Sequence, residues 1–408
     1  MTATAWQQDP LAFLLGSEEA QRFFADYYEQ QALVRAHQDS ARFADLLSLK
    51  RIDELLASSE LPPRSLDMAR KQPPLKRSFF TFSDGSIDRG AVLHHYQRGA
   101  TIILPQMHLS HGPLADFCRA LETVFSTRVQ TNIYLTPANN QGFSTHYDDH
   151  DVFVMQVSGE KRWRLYERPV ENPYRGEKFR AAEHKPGHPK DEFILRAGDC
   201  VYIPRGLMHD AESHGSEPSL HITVGLLGQS WADLMLEALS EMALRHPAFR
   251  RLLPPGYTDA DYDTTQAMQQ FQELLDLFRE EADFQEPFEL MREKFLRGRR
   301  PNLAGSLLSS STAADDIAAG VYTLRTHFQG LLRHDDTRVV LVSAGGDIHF
   351  PAAALRGLQS LLAGDPVDRT HFSDLNNEQI KETLQKLVAF GVAELAESQD
   401  RSQDQGAL

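Results

Sequence analysis

Apolar and polar positions recur along this chain with two different periods, and the change of period marks its parts. Between about 11 and 60, Phe13, Leu14, Phe23, Phe24, Tyr27 and Tyr28 repeat at helical spacing, and Phe43, Leu46, Leu47, Leu49, Ile52 and Leu55 form a second stripe. Both stripes read as helices facing a core. Leu61-Pro62-Pro63 and Gln72-Pro73-Pro74 read as turns. From about 78 the pattern shortens to strands at Thr101 to Leu104, Gln130 to Leu135, Val152 to Val157, Lys161 to Tyr166, Phe193 to Arg196, Cys200 to Ile203 and His221 to Leu226. One helix interrupts them near Leu114 to Phe125, with Leu114, Phe117, Leu121 and Phe125 on one face. After Trp231 the helical period returns, first through Met235, Ala238 and Met242, then through Phe271, Leu274, Leu275 and Phe278, with Leu253-Pro254-Pro255-Gly256 between the two runs.

Many short strands with Gly and Pro turns predict an α+β chain built on a double-stranded β-helix, a jelly roll of the cupin type. The expected division is a catalytic domain with its helical extension over 1–228, a helical domain over 229–300, a linker and connecting helix over 301–332, and a winged helix over 333–396. The last is read as strand, helix, helix and a β-ribbon near Val388 to Leu395. Residues 397–408 read as a disordered tail. Gly298-Arg299-Arg300-Pro301 and Ser309-Ser310-Ser311-Thr312 read as mobile stretches, and Arg297, Arg299 and Arg300 as a solvated basic linker.

Composition is that of a globular protein, 41% hydrophobic and 24% charged over 408 residues. A formal charge of −15 excludes a chain whose main task is gripping phosphates, and suits docking onto a basic protein. Between Arg333 and Glu394, six Lys/Arg face nine Asp/Glu, so the winged helix has no basic stripe for DNA. Cys118 and Cys200 are too few for a disulfide framework. The amino terminus has no basic start and apolar run, and no apolar stretch nears the roughly 20 residues needed to span a bilayer. A cytoplasmic protein is expected.

The chemistry-bearing motif is Ser144-Thr145-His146-Tyr147-Asp148-Asp149-His150. In a strand, residues two apart share a face, so His146 and Asp148 can both point into a barrel and hold one ion, with Tyr147 turned away. His184, His188, His209, His214 and His221 compete for a third ligand position. His209 is preferred, because it opens a strand after the Ile203-Pro204-Arg205-Gly206 turn, a rigid mount for a ligand. His184, His188 and His214 read as loop residues, and His221 as a core or supporting histidine. Two histidines and a carboxylate without cysteine are the facial donor set of non-haem Fe(II).

Val152 to Val157 and Lys161 to Tyr166 read as a hairpin around Ser158-Gly159-Glu160. Lys161, Trp163 and Leu165 share one face of the second strand, and the apolar company turns Lys161 inward, where a buried ammonium needs an anion.

The run from His146 to Tyr166, ending Gly159-Glu160-Lys161-Arg162-Trp163-Arg164-Leu165-Tyr166, resembles the JmjC-type ribosomal oxygenases. The likeness extends through Gly99-Ala100-Thr101, Asn132-Ile133-Tyr134-Leu135-Thr136-Pro137, Ile203 to His209, His221-Ile222-Thr223 and Ser230-Trp231-Ala232-Asp233-Leu234. It implies Fe(II) held by His146, Asp148 and His209, with 2-oxoglutarate and O2 as co-substrates. It also implies Lys161 on the distal carboxylate of 2-oxoglutarate, and Asn132, Tyr134 and Thr223 along the pocket. The expected function is hydroxylation of a His or Arg side chain of a ribosomal protein, with a homodimer formed through the helices of 229–300. Another peptide substrate, such as a natural-product precursor, is the alternative, and a non-catalytic binding module is the remaining one. His221 and Asp149 are expected to support the ligands by hydrogen bonds.

Overall fold

The computed structural model describes residues 4–58, 61–310 and 319–396. The tail 397–408 and Ser311-Thr312 therefore lie outside the described residues. The chain forms two compact units, Met1–Gly228 and Gln229–Leu408.

The first unit carries ten strands: β1 (Leu33–Arg35), β2 (Asp67–Ala69), β3 (Thr101–Leu104), β4 (Arg128–Thr136), β5 (Asp151–Ser158), β6 (Glu160–Leu165), β7 (Asp191–Arg196), β8 (Cys200–Ile203), β9 (His209–His214) and β10 (Ser219–Leu227). Seven form one antiparallel sheet in the order β1-β8-β5-β10-β4-β3-β2, and three form a second, β7-β6-β9. Val152 and Val154 of β5 and Val201 and Ile203 of β8 meet Trp163 and Leu165 of β6 and Leu195 of β7 between the sheets. This is the two-sheet body of a double-stranded β-helix. The outer face of the large sheet is apolar as well: Phe153, Met155, Tyr202 and Ile222 join a core supplied by the flanking helices. Burial on both faces explains why β5 reads as a continuous apolar run rather than an alternation.

The covering helices are Pro10–Leu15, Ser17–Asp26, Leu49–Ser58 and Gly112–Phe125. The first is started by Asp9, whose carboxylate accepts from the Ala12 N–H at 2.8 Å, and by Pro10 in the first turn. Gly112–Phe125 buries Leu114, Phe117 and Leu121 on one face, as its spacing predicts. The amino-terminal segment is less uniformly helical than expected. Leu33–Arg35 is an edge strand on β8, and Phe43 to Leu47 pack from turns, so only Leu49, Ile52 and Leu55 of the second stripe lie on a helix.

The β5–β6 hairpin is not formed. β5 pairs with β8 and β10, β6 pairs with β7 and β9, and the chain steps from one sheet to the other at Gly159. One residue is too short a loop for the common hairpin turns. Gly159 has φ +65°, and a Cβ there would lie 2.3 Å from the Pro218 carbonyl oxygen, so the corner needs glycine.

The second unit opens with helices Trp231–Arg245, Thr265–Glu281 and Gln285–Gly298. Ser230 and Asp233 cap the first reciprocally. A meander of β12 (Gly330–His334), β13 (Arg338–Ser343) and β14 (Gly346–Pro351) follows a short strand β11 (Tyr322–Leu324), and helices Leu355–Leu362 and Asn377–Ala389 pack below them. The stretch 301–332, expected as linker and connecting helix, thus holds the short helix Ser306–Ser310, β11 and the start of β12. No β-ribbon forms near Val388: Val388 is helical, and β15 (Ala393–Leu395) pairs back to β11. The basic run is not a solvated linker either. Arg297 pairs with Asp347 at 2.7 Å and with Glu293 at 2.9 Å, while buried Arg299 donates to Gln329 Oε1 and the His327 carbonyl. Among the described residues, no helix is long and apolar enough to cross a membrane.

Candidate metal centre and anion pocket

His146 and Asp148 stand in the loop entering β5, and His209 is the first residue of β9. The expectation that the first pair rides a regular strand is corrected. The motif is bent, and only His146 pairs, by an isolated antiparallel bridge to His209. The two histidines exchange both backbone bonds, His146 N to His209 O at 3.1 Å and His209 N to His146 O at 2.8 Å. That bridge brings distant parts of the sequence together and sets the two rings side by side, with centroids 4.8 Å apart.

One donor atom from each of His146, Asp148 and His209 lies within 4.8 Å of the others. Asp148 Oδ1 is 3.9 Å from His146 Nε2, and Asp148 Oδ2 is 3.8 Å from His209 Nε2. Each ring is fixed by its other nitrogen: His146 Nδ1 meets the Ser144 carbonyl at 2.9 Å and His209 Nδ1 the Leu207 carbonyl at 3.0 Å. A carbonyl can only accept, so both Nδ1 carry a proton, and both Nε2 atoms face Asp148. Burial, with His146 beside it, pushes the pKa of His209 down to about 4, so that imidazole is neutral and able to ligate at neutral pH. Among the described residues, these two imidazoles are Asp148's only ion-pair partners. Two imidazole nitrogens around a carboxylate fit a divalent cation, with His209 buried and the other two half-exposed on an accessible side.

The other histidines stand apart from this group. His184 packs on Tyr147 and Phe179, His188 is exposed, and His214 ends β9 beside Arg162. Tyr147 is buried away from the donors, as its place between them requires. His221 and Asp149 do not support the ligands by hydrogen bonds. Asp149 accepts from Gly176 N and faces His150, and His221 meets Lys161, while the carbonyls of Ser144 and Leu207 orient the rings.

Lys161 is buried with Trp163 and Leu165, at 6% exposure. Its ammonium donates to His221 Nδ1 at 3.2 Å and to Thr136 Oγ1 at 3.4 Å, and no carboxylate pairs with it among the described residues. Burial lowers its pKa to about 7 and holds His221 well below the usual imidazole range. The Trp163 ring lies 5.9 Å from His209 and 6.0 Å from His221, and so bridges the metal centre and the lysine. Register puts the remaining candidates on the same inner face, with Tyr134 opposite His221 and Asn132 opposite Thr223. Tyr134 stacks on His221 at 4.8 Å, with Phe143 against its edge. Asn132 Oδ1 is committed to the Gln106 N–H, a backbone-satisfying role, and Thr223 is half-buried beside it. Sequence reasoning passed over Thr136, which caps Lys161, and Asp210, which accepts from Thr145 and Tyr166 at 2.7 Å each. A charged residue next to a ligand inside a strand was the available signal.

A double-stranded β-helix holding a two-histidine, one-carboxylate centre with a buried cation behind it defines the class. Residues 107–234 match the family model described as the JmjC domain. It is 34% identical over 256 residues to the bifunctional lysine-specific demethylase and histidyl-hydroxylase NO66 of Drosophila grimshawi, covering 60% of this chain and 35% of that protein. The Drosophila simulans protein of the same name is 35% identical over 242 residues, 57% of this chain and 28% of its own length. The chain therefore spans about a third of the length of the curated relatives it matches. Among solved structures, YcfD, a ribosomal oxygenase from Escherichia coli, superposes with a TM-score of 0.53 at 18% identity, covering 92% of this chain and 98% of that one. A complex of that protein with cobalt and 2-oxoglutarate gives 0.52 at 17% identity over the same shares. At such identity the likeness establishes the fold.

Proposed function

We propose that this protein is an Fe(II)- and 2-oxoglutarate-dependent dioxygenase that hydroxylates a His or Arg side chain of a ribosomal protein. The observation that carries the reading is the pairing of His146, Asp148 and His209 around one ion-sized set of donors, with a buried Lys161 behind Trp163 that has no carboxylate partner among the described residues. His146, Asp148 and His209 would hold the metal. Lys161, with Thr136 and His221, would take the distal carboxylate of the co-substrate, a charge-assisted bond in a dry pocket. Asn132, Tyr134 and Thr223 would line the pocket wall. Iron and 2-oxoglutarate, when bound, supply the oxidation: one oxygen atom of O2 enters a substrate C–H bond and the other enters succinate, with release of carbon dioxide. The chain's own part is to orient the co-substrate from one end and leave the half-exposed His146–Asp148 side for a polypeptide.

The names of the relatives support a protein substrate, and the charge of −15 suits a basic ribosomal client. We assign the helices of 229–300 to a homodimer, residues 333–396 to a winged helix that docks protein rather than DNA, and the site of action to the cytoplasm.

The test incubates the purified chain with Fe(II), 2-oxoglutarate and ribosomal proteins of the same source, and reads intact masses. Gain of one oxygen on one protein, absent with Asp148→Ala, is expected. Succinate formation without a ribosomal product would shift the substrate to another peptide, such as a natural-product precursor. No turnover with any peptide would favour a binding module.

A further inference from the structure

We infer that Asp151 and Asp210 form a reciprocal clamp that fixes the spacing of the three candidate ligands, which makes both positioning residues of the metal centre; the inference rests on the metal reading above. The ligands come from two segments, 144–151 and 204–210. Each segment supplies one buried carboxylate that takes hold of the other segment. Asp210, next to His209, accepts at 2.7 Å from the hydroxyl of Thr145, next to His146. Asp151, just beyond Asp148, accepts at 3.2 Å from the Arg205 backbone N–H and at 3.2 Å from its guanidinium. Both carboxylates are buried, at 5% and 2% exposure.

Their remaining capacity is filled from the framework. Tyr166 and Arg164 donate to Asp210, and Tyr202 donates to Asp151 at 2.8 Å. The backbone closes the same gap through the His146–His209 pair and through Gly206 N to Asp148 O at 3.0 Å. A buried carboxylate is tolerated only while its donors stay in place, so separating the segments would leave two charges short of donors. The clamp therefore resists the one motion that would pull His146 and Asp148 away from His209. His146 and Asp148 sit in a bent loop without a sheet ladder of their own, where such restraint counts most.

The experiment titrates Co(II) alone into the full metal-free chain and follows the visible ligand-field absorption. Thr145→Val removes the hydroxyl while keeping the shape and every ligand. It should weaken Co(II) binding about 10-fold or more, the usual scale for groups that orient metal ligands, and alter the band shape. Thr145→Ser should restore both; metal-free Thr145→Val should still unfold in one cooperative transition, at a somewhat lower temperature because buried Asp210 loses one donor. Arg205→Met tests the other half and should weaken Co(II) in the same range. Asp210→Asn should match Thr145→Val if it folds; if it does not, the threonine pair still decides. Wild-type Co(II) affinity and spectrum in Thr145→Val, or a Thr145→Ser variant as weak as Thr145→Val, would overturn the clamp. A wild-type chain that takes up no Co(II) would overturn the metal reading, and the clamp with it, so the two failures are told apart.

Discussion

A lysine enclosed by Trp163, His221 and Thr136 is costly as a cation until an anion reaches it, and this gives Lys161 a signature in pH. Its pKa is about 7 in the folded chain, against 10.5 for an ordinary lysine. Between those values the unfolded state holds the proton and the folded state does not, so this residue makes stability rise with pH from about 7 towards 10.5. Binding of a dicarboxylate runs the other way. Below about 7 the ammonium is already present; above it, binding must take up a proton, so apparent affinity should fall about tenfold per pH unit. Calorimetry of 2-oxoglutarate binding at pH 8, in two buffers of different ionisation heat, should show proton uptake. Lys161→Met should lose most of the affinity together with its pH dependence. An affinity that is flat between pH 6.5 and 8.5 would mean that the amine does not meet the carboxylate. The inward turn of Lys161 was legible from its alternation with Trp163 and Leu165. Thr136 was not, because it reaches the lysine only through strand pairing across the barrel. Asp149 and Asp210 each neighbour a candidate ligand in sequence, and only the fold separates the one that faces Gly176 from the one that faces Thr145.

Turns between elements decide where the donors stand. Gly206 ends the Ile203-Pro204-Arg205-Gly206 turn with φ +82°, and a Cβ there would lie 2.0 Å from the Val170 carbonyl oxygen and 2.9 Å from Pro173 Cδ. Its N–H also holds the Asp148 carbonyl. Gly206→Ala should therefore destabilise by about 1–3 kcal/mol from backbone strain alone and weaken metal binding through His209 and Asp148 together. Thermal unfolding and Co(II) titration read the two effects. Gly187→Ala, with no atom within 4 Å of the added methyl, is the control expected to change neither. Equal behaviour of the two variants would show that the turn does not position the ligand. The importance of this turn was visible in the sequence as a Pro-Arg-Gly stop before His209, and seven of the strands were visible as apolar runs. The β5–β6 connection was misread because two apolar strands separated by a short polar gap look the same whether the chain folds back or crosses between sheets. The three-residue strands Leu33–Arg35 and Asp67–Ala69 carry too few residues to show a period, and they form only because a sheet edge receives them.

At the scale of the whole molecule, the helices of the second unit carry more apolar surface than their own unit covers. Trp231, Met235 and Leu239, at 77%, 52% and 42% exposure, line one stripe of Trp231–Arg245, and Met268, Phe271 and Leu275 line one of Thr265–Glu281. Their spacings, four and four on one helix and three and four on the other, keep each set on a single face. An intramolecular bundle would have buried these stripes, as Leu234, Ala238 and Met242 are buried along the adjacent stripe of the first helix. Helical period alone could not tell the two stripes apart, since both are apolar. Contiguous exposed patches beyond a few hundred Å² mark association surfaces. A second copy of the chain can cover two such stripes with two identical ones, as a two-fold interface requires. Sedimentation at micromolar concentration should therefore give twice the 46.0 kDa chain mass. The pair Met235→Glu and Phe271→Glu should give the chain mass with an unchanged melting profile for the first unit, because charges placed at the centre of a closed apolar interface cannot be solvated there. Co(II) binding should be retained in that variant, since every candidate ligand and both clamp carboxylates lie in Met1–Gly228. A wild-type chain that sediments at 46.0 kDa would leave these stripes without a partner of their own kind and remove the homodimer from the proposal.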